Sequence, residues 1–68
     1  MSNKGEVLAR LNELAQTLVS IKASGSNTLK GSRDYHEARE QAIIHEAILR
    51  ARCQEVGVDF DELLSKYE

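Results

Sequence analysis

Hydrophobic positions recur along this chain with a helical period and little of the alternation that marks strands. Val7, Leu11, Leu14, Leu18 and Ile21 step by fours and threes, an a/d seam sustained for just over two heptads. Leu8, Ala15 and Val19 widen that stripe. The spacing predicts a first helix over about 4–22, capped by Asn3 with Glu6 as the acid of its first turn. A second helix is predicted over about 34–56, with Asp34 and Glu37 as the capping pair and Gly57 as the stop. In a short third helix, about 59–67, Asp59 and Glu62 repeat the cap signal, and Phe60, Leu63, Leu64 and Tyr67 share one apolar face. Between the first two lies KASGSNTLKGSR, whose Gly25, Gly31 and run of hydroxyl residues predict a flexible loop over 23–33. The expected fold is all-α: one domain, 1–68, built as an antiparallel helical hairpin with a short C-terminal helix.

The second helix has more to hide than a hairpin can cover. At about 100° per residue, Tyr35, Ala38, Ala42, Leu49, Cys53 and Val56 fall on one face. Ile43, Ile44, Ala47, Ile48 and Ala51 fall on roughly the opposite one. A third helix of about 15 Å is too short to cover a helix of about 34 Å. The second face is therefore expected to serve as an oligomer or partner interface, with the chain assembled as a dimer or higher oligomer.

Length sharpens this expectation. A chain of 68 residues buries only about 60% of its unfolded surface and needs a disulfide, a metal or association to gain stability. One cysteine forms no internal disulfide and no paired-thiolate zinc site, which leaves association. No apolar run approaches the roughly 20 residues of a membrane span, and MSNKGEVLARL lacks the apolar core of a signal peptide. A soluble, cytoplasmic protein is expected.

Charge is unevenly placed. Residues 1–33 carry five bases and two acids, whereas residues 34–68 carry four bases and nine acids. Such a dipole orients association. It is no nucleic-acid signature. Leu49, Cys53, Gly57 and Leu63 match helix-turn-helix offsets, so about twenty residues from Leu49 resemble that motif. Against this, Asp59, Asp61 and Glu62 in the would-be recognition helix repel phosphates, and Arg52 and Lys66 stand where such motifs place apolar residues. A DNA-binding regulator therefore ranks last among the expected functions.

The chemical candidates are few. His36 and Glu40 lie at i, i+4, but His45 stands about 180° from His36 around the helix, and neither HExxH nor ExxH occurs. Cys53 sits in an apolar group with no histidine in its local turn. No metal site, cofactor or catalytic activity is expected. The most polar candidate is the loop. Lys22, Ser24, Ser26, Thr28, Lys30, Ser32 and Arg33 offer hydroxyls and positive charge, and no acid falls between Glu13 and Asp34. Backbone N–H groups and a helix start nearby suit an anion.

Two functions follow as expectations. The first is a small non-enzymatic binding protein that regulates or inhibits a partner protein stoichiometrically. Phage and mobile-element factors that disable host functions offer an analogy of size and architecture. The second is an oligomeric binder that sequesters a nucleotide or other phosphorylated small ligand through residues 22–33.

Overall fold

The computed structural model describes residues 3–68, so Met1 and Ser2 of the expected domain lie outside the described residues. Three helices follow one another: α1 (Lys4–Ser26), α2 (Arg33–Val56) and α3 (Phe60–Ser65). The two long helices pack together as an antiparallel hairpin, and no strand occurs among the described residues. No helix among them is long and apolar enough to cross a membrane.

Three of the expected punctuation marks operate as read. Asn3 accepts the Gly5 N–H through its side chain at 2.9 Å. Gly57 ends α2 in the left-handed conformation at φ 75°, with its N–H donated to the Cys53 carbonyl. Asp59 Oδ1 accepts the Glu62 N–H at 3.0 Å and starts α3.

The connection differs from the expected loop over 23–33. α1 continues through Ala23, Ser24, Gly25 and Ser26, and α2 begins at Arg33, so only residues 27–32 form the turn. Packing keeps the serine-rich end helical. Ser26 Oγ donates back to the Lys22 carbonyl at 3.0 Å, which satisfies the hydroxyl inside the helix without favouring it. Gly25 lies against α2, where a Cβ on it would stand 3.3 Å from the Ala38 methyl. Here glycine permits a close helix approach rather than a stop. The cap of α2 also moves. Ser32, not Asp34, takes the extended cap conformation, and its Oγ accepts the Tyr35 N–H at 3.2 Å. Asp34 becomes the acid of the first turn, where it complements the helix dipole.

The core joins Leu11, Ala15 and Leu18 of α1, Leu49 and Cys53 of α2, and Leu63 and Leu64 of α3. Each leucine fully buried contributes on the order of 1.5–3 kcal/mol. The predicted α3 face is realised, with Phe60 and Tyr67 packed at the margin of the core. Two polar contacts hold α3 and the residues that follow it on the hairpin. The Arg50 guanidinium lies 4.2 Å from the Phe60 ring centroid, and the Tyr67 hydroxyl donates to Asn12 Oδ1 at 2.6 Å. The helix-turn-helix offsets are thus spent on packing: Leu49, Cys53 and Leu63 meet in one core, and the second helix is only 6 residues long.

Candidate interaction surface

α3 settles on the Arg50 and Cys53 side of α2, far around the helix from Ile44 and Ile48 and two turns along it from Ile43. The second face therefore stays open. Ile43 is 58% exposed and Ile44 and Ile48 each 46%, while Ala47 and Ala51 beside them are also exposed. Large apolar side chains at helical spacing in water cost stability unless something covers them.

The stripe is continuous with an open groove between α1 and α2 on the side that α3 leaves free. Ile48 and Val56 line it from α2, Val7 and Leu14 from α1. These last three depart from the expected pattern. Val56 belongs by periodicity to the buried face of α2, yet is 45% exposed, because α2 ends there and nothing packs beyond it. Val7 and Leu14 fall on the a/d seam but are only half-buried, since that flank of the seam looks into the groove. Periodicity placed them on the correct helix faces, but it carries no information on how far a neighbour extends. Leu29, in the turn, is 84% exposed and has no periodic signal at all.

Charge borders the groove unevenly. Its open end holds Arg10 and Arg52 among Glu6, Glu13 and Glu55. Arg10 and Arg52 reach only near neighbours on their own helices, Glu13 at 3.8 Å and Glu55 at 3.7 Å, all well exposed. Toward the turn, the same side carries Asp34 and Glu37 beside Ser20, Ser24 and Gln41.

The residues expected to suit phosphate are divided between two grooves where they line one at all. Ser24 faces the groove that holds Asp34 and Glu37, whereas Lys22 and Ser26 face a different one beside Tyr35 and Arg39. The hydroxyls are engaged by their own backbone: Thr28 Oγ1 donates to the Gly25 carbonyl at 2.8 Å, Ser26 to Lys22, and Ser32 caps α2. Arg33 Nε donates to Glu37 Oε1 at 3.1 Å. Lys30 stands exposed in the turn. The start of α2 already carries Asp34 in the place an anion would take.

The histidines and the cysteine are equally separate. His36 is exposed and meets Tyr35 edge-on, with ring centroids 5.6 Å apart. His45 Nδ1 lies 2.8 Å from the Gln41 carbonyl, which accepts, so that nitrogen carries the proton. Among the described residues, no three His, Cys, Asp or Glu side chains gather as a metal would require. Cys53 is 1% exposed; burial, and then the Asp59 carboxylate, push its thiol above the ordinary value. A thiol so placed is a poor nucleophile. No family model, curated protein or solved structure matches this chain.

Proposed function

We propose that this chain is a non-catalytic helical binding protein. It self-associates, and it regulates or inhibits a partner protein in the cytoplasm by occupying it stoichiometrically. The observation that supports this reading is the isoleucine stripe of α2, left open by a hairpin whose third helix sits on the other side. A small core and a large exposed apolar strip together favour association over a solitary life.

Gel filtration coupled to light scattering tests the first half. More than one chain per particle is expected at tens of micromolar, and a clean 7.6 kDa monomer refutes self-association. Quantitative pull-down from the native host tests the second half. A protein retained in a fixed ratio by the wild type and lost with Ile43→Asp is expected, whereas identical profiles for both refute a partner at the stripe. Nucleotides and cyclic nucleotides are expected to leave the melting temperature unchanged. A stabilisation abolished by Lys30→Ala and Arg33→Ala would instead move the function to a phosphorylated ligand.

A further inference from the structure

We infer that the groove on the α3 side of the hairpin, in its half nearest the turn, is a docking site for an acidic, amphipathic helix of a partner protein. The inference rests on the partner-binding role proposed above and names the chemistry of what is bound.

The site continues a contact already made within the chain. Arg50 and Asn12 hold the C-terminal segment through Phe60 and Tyr67. Arg39 lies about 20° from Arg50 around α2, and Ser26 about 40° from Asn12 around α1, so both look out on the same side. α3 has 6 residues, or about 9 Å of helix, whereas Arg39 stands about 16 Å along α2 from Arg50. Past the reach of α3 the groove runs on, floored by Ile21, Gly25, Tyr35, Ala38 and Ala42, all partly buried. Gly25, Ala38 and Ala42 keep that floor low, which lets another helix approach closely. The stretch from Tyr35 to Ala42 is about 10 Å long, room for two turns of helix. α3 shows the kind of segment the groove takes: Leu63 and Leu64 are buried against the hairpin, and Asp61 and Glu62 remain exposed.

Charge selects the occupant. Lys22 and Arg39 line this stretch, one from each long helix, and no carboxylate lines it. Among the described residues, the ion pairs engage Arg10, Arg33, Arg50 and Arg52, and neither Lys22 nor Arg39. The groove on the opposite side differs, since acids and bases mix there and Arg10 and Arg52 sit by glutamates of their own helices. Two free cations over an apolar floor match a helix with one apolar stripe and carboxylates on its flanks. Ile43, four residues after Arg39 and about 40° from it, stands exposed at the rim, where the same helix reaches it. A contact of this length belongs to the weak, reversible class.

Amide shifts of the isotope-labelled chain, titrated with a stapled helical peptide, test this. The peptide spans about three turns, with leucines at i, i+4 and i+7 and glutamates on both flanks; its counterpart carries lysines instead. Saturable shifts at Lys22, Gly25, Ala38 and Arg39 are expected with the acidic peptide, and an affinity about tenfold lower for the lysine peptide. Lys22→Glu/Arg39→Glu is expected to reverse that preference. Arg10→Glu/Arg52→Glu, the same change of charge in the other groove, is expected to leave it in place. All four side chains are exposed, and circular dichroism checks that both variants are folded. The inference is overturned by an absence of shifts, by shifts centred on Leu14 and Ile48, by equal affinity for the two peptides, or by equal effects of the two charge reversals. The partner-binding reading then stands or falls separately, on whether the host pull-down retains a protein that Ile43→Asp loses.

Discussion

At the residue scale, Cys53 shows how a chemically suggestive side chain is absorbed by packing. It lies between Leu49 and the α3 leucines, and burial followed by Asp59 raises its thiol above the ordinary 9.0. The unfolded chain therefore loses this proton first as pH rises. Above 9.0 the folded state holds more protons than the unfolded one, so stability falls with pH until the folded thiol also ionises. Denaturant titrations between pH 8 and 10 are expected to show this decline, and Cys53→Ala to show a shallower one from a lower starting stability. An equal slope in both proteins would remove the thiol as the cause. The residue-level chemistry was legible from position alone: spacing separates His36 from His45 and sets Cys53 among apolar neighbours. The influence of Asp59 was not, because its distance from the thiol depends on how the chain turns at Gly57.

At the scale of elements, caps carry more than their size suggests. α3 has only 6 residues, far below the length at which a helix stands alone in water, so it depends on its cap and on the hairpin beneath it. Asp59→Ala is expected to cost about 1 kcal/mol, read as a lower denaturation midpoint. Asp59→Asn keeps the capping oxygen and is expected to recover most of that loss. If Asn is no better than Ala, the cap is not what Asp59 contributes. Helices with a clear period and a matching cap were read from sequence within a few residues, as in α3. The ends that shifted are those where tertiary contact overrules local signal. Gly25 looks like a terminator in isolation, but Ala38 packing against it keeps α1 running to Ser26. Ser32 takes the cap from Asp34 because α1 uses the residues that a longer loop would have needed. Which side α3 would cover was likewise invisible, since both faces of α2 are apolar and the choice is made by Gly57, Arg50 and Phe60 together.

At the scale of the whole molecule, the self-association proposed for the exposed isoleucines would tie stability to concentration. Binding that favours the folded state raises the melting temperature as the chain is concentrated. Scans from one to a hundred micromolar are expected to climb by several degrees for the wild type and to stay flat for Ile48→Asp. A flat wild-type series would leave the stripe without a role in self-association.

The turn over residues 27–32 and the bond between Tyr67 and Asn12 set two different clocks for folding. Helices joined so closely meet at low loop-closure cost, and topologies dominated by such local contacts fold in microseconds to milliseconds. The Tyr67 hydroxyl reaches a residue 55 positions away, which makes it a costly contact to close early in chain entropy. Tyr67→Phe is therefore expected to leave the folding rate nearly unchanged and to speed unfolding several-fold, the signature of a contact absent from the transition state. Equal slowing of folding in stopped-flow chevrons would place that contact in the nucleus instead. With that outcome the C-terminal end of the chain is a slow-release fastener on a fast-closing hinge: it sets how long the fold lasts, not how quickly it is found.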